Sequence, residues 1–432
     1  MQMTMVTTCP DDLVPATHSV RMVMAVVETL DLFRFHEPIK ARRGVAGRDA
    51  TDPKLLVALW LYACIRGIGS ARDLARRSSE STPFQWLCGG VSVNYHLLAD
   101  FRTEHGAALD DLLTQVIASL VDKEVVAVSR VSQDGVRVRV SAGAGSFRSA
   151  ERLEQLLAAA REHVEQLLAA AREHVEQVRQ QVDLPAQAAL TARQQAARKR
   201  AAREREQRLQ QAIEQLPELQ QRQAERNKKV GQGPAGNKVR ERQPRVSTTD
   251  AEARRMKMPN GGYNPAVNVQ LATDTESRAI VGVEVTNEGS DNAGLSEPMR
   301  SQVEQRTGGK VQQHLLDGGY MRKDDLERAQ SAGVALFIPP KMAQEATRRG
   351  RELEPRPGDT AAVLAWKERM AAEQGKEIYR ERAATSETVN ADLRTYRGLT
   401  QITVRGLKKT RCVALWCALA YNLLHFGDKL LA

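Results

Sequence analysis

The chain has 432 residues, 42% hydrophobic and 27% charged, enough for two or three domains and a sizeable core. Its 63 Lys and Arg against 53 Asp and Glu leave a formal charge of +10, which points to a polyanionic partner. No run of eighteen apolar residues exists, so no membrane span is expected. The five cysteines, at 9, 64, 88, 412 and 417, have neither a disulfide framework's density nor metal-ligand spacing. The opening MQMTMVTTCPDDLVP lacks a charged region followed by an apolar core, so no signal peptide is expected. The expected class is soluble, basic and cytoplasmic.

Residues 20–125 read as mostly helical. From Leu55 to Ile65 apolar residues recur at three-four spacing, and Gly67 and Gly69 then interrupt the pattern. Ser70 and Asp73 have the spacing of a capping box and start a new helix, and Ser81–Pro83 makes a turn. Helix, short turn, helix, with Arg72, Arg76 and Arg77 on the first, is compatible with helix-turn-helix DNA binding and equally with a plain bundle.

The stretch VSRVSQDGVRVRVSAG, 128–143, is the one around which the chain is organised. EVVAVSRV is strand-like, and Val136, Val138 and Val140 alternate with Arg137, Arg139 and Ser141. Asp134 is disfavoured inside a strand, because its short side chain competes for backbone hydrogen bonds. Gly135 suggests a bulge or a close backbone approach. An Asp-Gly hairpin turn explains the pair equally well.

Residues 149–182 form one long helical pattern, in which EQLLAAAREHV at 154–164 repeats at 165–175. Apolar residues step by three and four, a coiled-coil seam with one stutter. Eleven residues complete almost three turns, so the repeat lengthens the helix while rotating its apolar face by only about 20°. His163 and His174 are copies too far apart to share a metal, and read as surface residues. Pro185 breaks the pattern, and a second helix follows to about Leu216, making a helical hairpin. From 191 to 245 there are fifteen Lys and Arg and six Glu, a net of +9, so nearly all of the chain's excess charge lies here. The Gly- and Pro-containing exit, KKVGQGPAGNKVRERQPR, reads as a linker. Such a block binds phosphate or stays solvated; its concentration favours phosphate.

After residue 260 the chain becomes α/β. NPAVNVQLATD and RAIVGVEVTN read as an antiparallel hairpin, SEPMRSQVEQRTGG as a helix, and KVQQHLLDGGY as a strand ending at Asp317. RKDDLERAQSAG is helical, VALFIPP a strand, and 361–375 and 381–397 are helices. The apolar RCVALWCALAYNLLHF is too short to span a bilayer and is expected to pack on the sheet. Asp317 sits where a strand gives way to a loop, the place at which α/β sheets present ligand groups. Asp134 lies on another strand, and Glu387 on the late helix is the leading third carboxylate. Three converging carboxylates repel one another and need cations, for which Mg²⁺, a hard ion, is suited.

These residues resemble a bacterial insertion-sequence transposase of the DDE class over nearly the whole chain. The likeness is carried by GIGSARDLARR and HLLADFR, by QDGVRVRVSAGAGSFR around Asp134, by NVQLATD, by LLDGGY around Asp317, and by YRERAATSETVNADLR. That last stretch is similar to the family's Tyr-x2-Arg signature, with Tyr379, Arg382, Glu387 and Arg394 in its places. The resemblance implies an RNase H-like mixed sheet with flanking helices over 126–148 and 247–432. It also implies a helical DNA-binding domain at 1–125, with the hairpin and basic linker inserted at 149–246. It implies Asp134, Asp317 and Glu387 as catalytic metal ligands for two Mg²⁺ ions, with Mn²⁺ able to substitute. Arg382, Arg394 and Tyr379 would then contact DNA near the metals, and Arg72, Arg76 and Arg77 would do so from the N-terminal domain. The expected partners are the double-stranded terminal inverted repeats and target DNA, with a homo-oligomer on that DNA in the nucleoid. Expected activities are end cleavage and transfer of 3′-hydroxyls; a catalytically inactive or domesticated DNA-binding copy and a coiled-coil scaffold are the alternatives. Two departures stand out. Arg394 replaces a frequent Lys, and four residues separate Arg382 from Glu387 where one common version has three, which makes Glu381 a rival. The insert has no Phe, Trp or Tyr from 148 to 262 to stack a flipped base, so no hairpin intermediate is inferred.

Overall fold

The computed structural model describes residues 9–39, 50–179, 186–229, 243–291, 294–340 and 353–432. The chain forms two compact units, Met1–Arg139 with Val267–Ala432, and Val140–Ala266. The first opens with helices α1 (Ser19–Thr29), α2 (Pro53–Ile65), α3 (Ala71–Glu80), α4 (Thr82–Cys88), α5 (Tyr95–Glu104) and α6 (Gly106–Asp122). Asp52 caps α2 through the Lys54 amide, and Pro53 costs nothing in the first turn, where its missing N–H has no partner to lose. Every residue of α2 from Leu56 to Ile65 is buried. Ser70 Oγ accepts from the Asp73 amide at 3.4 Å, so the expected cap starts α3.

Strand β1 (Arg130–Arg139) begins later than the pattern of apolar residues suggested. Glu124 and Val128 have φ of 57° and 58°, which no ladder residue adopts, and they hold 124–129 out of the strand. β1 runs unbroken through Asp134 and Gly135, so the hairpin-turn reading of that pair is excluded.

The second unit contains β2 (Phe147–Arg148), α7 (Ala150–Arg179), α8 (Ala186–Glu214), α9 (Leu216–Lys229), β3 (Val246–Ser247), β4 (Arg254–Lys257) and the first residues of β5 (Tyr263–Asp274). Its core joins Leu153, Leu157 and Ala160 of α7 to Leu209, Ala212, Leu216 and Val246. The apolar seam is thus used within the chain's own hairpin. His163 is exposed, as are Arg193, Arg200 and Arg203 along α8. Pro185, the side chain of His174 and most of the expected linker lie outside the described residues. β4, which the sequence did not suggest, pairs antiparallel with the start of β5, Arg254 opposite Ala266.

The chain rejoins the first unit within β5 and continues through β6 (Ile280–Thr286), α10 (Ser296–Thr307), β7 (Gln313–Leu315), α11 (Lys323–Ser331) and β8 (Ala335–Phe337). It ends with α12 (Ala361–Ala371), α13 (Glu373–Arg382), a π turn at Ala383–Glu387, α14 (Thr388–Tyr396) and α15 (Leu407–Leu431). The sheet is mixed, in the order β5-β1-β7-β8 with β6 on β5. β1 is parallel to β7 and β7 to β8, while β6 is antiparallel to β5. β1 and β5 also run in opposite directions, with the Thr275 amide bonded to the Arg130 carbonyl and the Val140 amide to that of Pro265. This is the expected α/β class.

The N-terminal helices and the sheet share one compact unit, with α15 between them. Residues Cys412–Leu423 of that helix are all buried, and Trp416 Nε1 donates to the Arg102 carbonyl at 3.2 Å. Side chains from helices also finish the sheet. Asn422 accepts from the Ile280 amide and donates to its carbonyl, both at 2.9 Å, and Gln302 does the same for Val283 at 2.8 and 3.2 Å. On β8 and just beyond it, the Leu336 and Ile338 carbonyls accept from Arg369 and from Trp366 Nε1, each at 2.9 Å.

Candidate active site

The parallel register of β1 on β7 pairs Arg130 with Gln313, Val131 with His314 and Ser132 with Leu315. Continued by two residues on each strand, it sets Asp134 level with Asp317. Asp317 leaves its strand as the cap of a single 3₁₀ turn, its Oδ1 accepting from the Gly319 amide at 2.5 Å. Asp134 is largely buried. Its Oδ1 accepts from its neighbour Gly135 at 2.9 Å and lies 3.0 Å from an Arg382 Nη, and its Oδ2 accepts from Asn390 Nδ2 at 2.9 Å.

Burial pushes the Asp134 carboxyl up to about 6. Arg382 and the Gly135 amide pull it down, Asp317 and Asp291 push it further up, and the balance stays well above the ordinary carboxylate value. Burial also opposes the charge on Arg382, but Asp134, Tyr379, Asp317 and Glu387 outweigh it and raise that guanidinium. Buried Tyr320 is pushed far up by desolvation and then by Asp291, Asp134 and Asp317, so three carboxylates act on one phenol. Its hydroxyl donates to Gln270 Oε1.

The late helix contains a π turn at Ala383–Glu387. Over five residues of plain α-helix, Glu387 would stand about 140° round from Arg382; a π turn absorbs one residue and returns it to about 40°. The extra residue between Arg382 and Glu387 is thereby accommodated, and both acid and base share a face. Glu387 is nonetheless exposed, and Arg382 feels it only through its charge. The structure thus brings Asp134, Asp317 and Arg382 together and leaves Glu387 outside their contacts. Glu381, the rival acid, accepts through both its oxygens from Arg130 Nη1 at 2.6 Å. Tyr379 is half-buried against the core of β8 and α12. Arg394 is exposed in the last turn of α14. On α3, Arg76 pairs with Asp73 and Glu80 at 2.6 and 2.8 Å, Arg77 pairs with Asp73 at 3.0 Å, and Arg72 lies over the Tyr95 ring. These three cations are engaged by groups of the N-terminal helices themselves.

Four residues of this pocket had no clear signal in the sequence. Asn390 is three residues, almost one helical turn, past Glu387. Asn268 and Gln270, on β5, hold Asp291 through its Oδ1 at 2.7 and 3.1 Å. The remaining clue was topological: Asp291 follows β6, which runs the same way as β1 and β7.

Among the described residues no three His, Cys, Asp or Glu side chains converge closely enough to hold a metal as they stand. The donor chemistry nevertheless fits a hard cation, since the groups here are carboxylates and the buried Asn268 Oδ1, which has no hydrogen-bond partner. No helix among the described residues is long and apolar enough to cross a membrane.

Comparison with known families gives two matches: residues 238–423 match a transposase DDE domain, and residues 8–104 match a transposase domain of the DUF772 type. No curated protein and no solved structure matches the chain.

Proposed function

The chain belongs to the DDE-class insertion-sequence transposases, and from that premise we propose that it binds its element's terminal inverted repeats, cuts the element ends by hydrolysis and joins the 3′-hydroxyls to target DNA. The family works on DNA and uses divalent metal ions. The observation that carries the finer reading is the register that sets Asp134 level with Asp317, with Arg382 laid on the pair. Asp134, Asp317 and Glu387 would hold Mg²⁺, two ions with Mn²⁺ able to substitute. A bound ion polarises the scissile phosphate and lowers the pKa of the attacking water. Asn390 and the Gly135 amide fix the orientation of the Asp134 carboxylate. Arg382 can transfer its guanidinium from Asp134 to a DNA phosphate, and Arg394, from the same helical segment, adds a second cation. Tyr379 packs beside Arg382 and holds it to that side of the helix.

In the N-terminal helices, Arg72, Arg76 and Arg77 contact the DNA backbone in this reading, and copies of the chain assemble on paired ends. The scaffold alternative loses its main support, because the seam residues Leu153, Leu157 and Ala160 are buried in their own hairpin.

Strand nicking on matched terminal-repeat DNA with Mg²⁺ tests the assignment. Glu387→Gln is expected to abolish nicking while leaving DNA binding intact, and Glu381→Gln, which only loosens the Arg130 pair, to stay near wild type. The reverse result would show that the acid on this helix is Glu381.

The arm from 191 to 245 carries a net +9. Deleting it is expected to weaken duplex binding and flatten the plot of log K against log salt by roughly 0.9 for each DNA phosphate that the arm neutralises. An unchanged slope would make the arm a spacer.

A further inference from the structure

We propose that Asp291 is a further working acid of this pocket, an oxygen donor to the divalent cation beside Asp134 and Asp317; the inference rests on the cation site of those two aspartates proposed above. The strands β1, β6 and β7 all run in one direction, so the loop after β6 reaches the same edge of the sheet as the loop carrying Asp317. There Asp291 comes to lie between two glycines. Its Oδ1 is 2.6 Å from the place where a Cβ on Gly135 would stand. Its Oδ2 is 3.6 Å from the corresponding point on Gly319, which is 2.7 Å from Asp317 Oδ1. The residue after the first aspartate and the residue two beyond the second both leave room that this carboxylate enters.

A second observation points to a ligand independently of the acids. Asn268 is fully buried, and its Oδ1 has no hydrogen-bond partner. That oxygen is aimed at the same Gly135 position, 2.6 Å away. An unpaired buried amide oxygen is costly to keep, and a hard cation is a natural acceptor of its lone pairs. The same amide, with Gln270, donates to Asp291 Oδ1, which leaves Oδ2 as the oxygen free to serve the cation once Arg137, 3.8 Å away, yields it. The interaction is one of position as well as charge: the carboxylate at 291 stands beside the glycines that follow both aspartates.

The full-length protein without DNA, titrated with Mn²⁺ and followed by electron paramagnetic resonance, tests this. Asp291→Asn keeps the oxygen to which Asn268 and Gln270 donate and replaces only the one facing Gly319. Its Mn²⁺ affinity is expected to fall about tenfold or more, its metal-free melting temperature to hold, and the rise in melting temperature that Mn²⁺ gives the wild type to disappear. Asp291→Ser, which removes the carboxylate altogether, is expected to lose Mn²⁺ in the same way and serves should the Asn variant fold poorly. If Asp134→Asn and Asp317→Asn lose Mn²⁺ while both variants at 291 bind it as the wild type does, Asp291 only buttresses its loop and the inference is overturned. If the variants at 134 and 317 also bind normally, the two-aspartate site itself is wrong, and this inference falls with it.

Discussion

Asp134→Asn is expected to reduce Mg²⁺-dependent nicking of terminal-repeat DNA by about 10³-fold or more, a loss of roughly 4 kcal/mol of transition-state stabilisation, while making the metal-free protein more stable above pH 6. The second half follows from the electrostatics. The carboxyl is pushed up to about 6 from an ordinary 3.8, so the native state prefers it protonated. Its contribution to stability is complete below about pH 4 and is lost as the pH rises through about 6, by roughly 3 kcal/mol at the limit. Asparagine carries no such charge. The wild-type and variant melting curves should coincide near pH 4 and separate above pH 6, with the variant melting a few degrees higher. A variant that melts lower at pH 8 would mean that the pair with Arg382 outweighs the burial of the charge. Wild-type nicking should likewise rise as Asp134 gives up its proton near pH 6, because a protonated carboxyl cannot hold a hard cation.

Gly135→Ala carries the second large effect. A Cβ there would lie 2.5 Å from Gln270 Nε2 and 2.6 Å from both Asn268 Oδ1 and Asp291 Oδ1. Asn268 and Gln270 both donate to Asp291 Oδ1, so the three side chains do not move independently. Overpacking of this kind costs about 1–3 kcal/mol, and moving the groups beside Asp134 by an ångström is expected to cost about 10²-fold in nicking. DNA binding should change little. Nicking at the wild-type rate with an unaltered melting temperature would show that this corner of the pocket is looser than its contacts indicate.

What was legible in the sequence was whatever short-range pattern controls. Alternating Val136 and Val138 announced a strand, Ser70 and Asp73 a cap, and Asp317 the end of a strand. Gly135 announced a close approach, which proves to be three polar side chains rather than backbone. The rest depended on long-range geometry. Arg382 meets Asp134 across nearly 250 residues, and no local pattern predicts that a helix after β8 will lay its cation there. The π turn was visible only as an extra residue between Arg382 and Glu387, and without the backbone its effect on phase could not be read. Asp291 drew no reading from the sequence, because its place beside Gly135 and Gly319 comes from the direction of β6. The strand start at Arg130 was misjudged, since nothing in EVVAVSRV reveals the positive φ of Val128.

The amide and aromatic side chains that close β6 and β8 bear on how copies of this protein live together. A sheet border with free rungs is a template for another chain, and proteins crowded on neighbouring DNA ends meet at high local concentration. Here Asn422 and Gln302 imitate the next strand along β6, while Arg369 and Trp366 occupy carbonyls at the other border. Because those rungs are taken from within, strand addition between copies finds no purchase at them. Strand addition at these positions would first have to break the bonds that Asn422, Gln302, Arg369 and Trp366 already make.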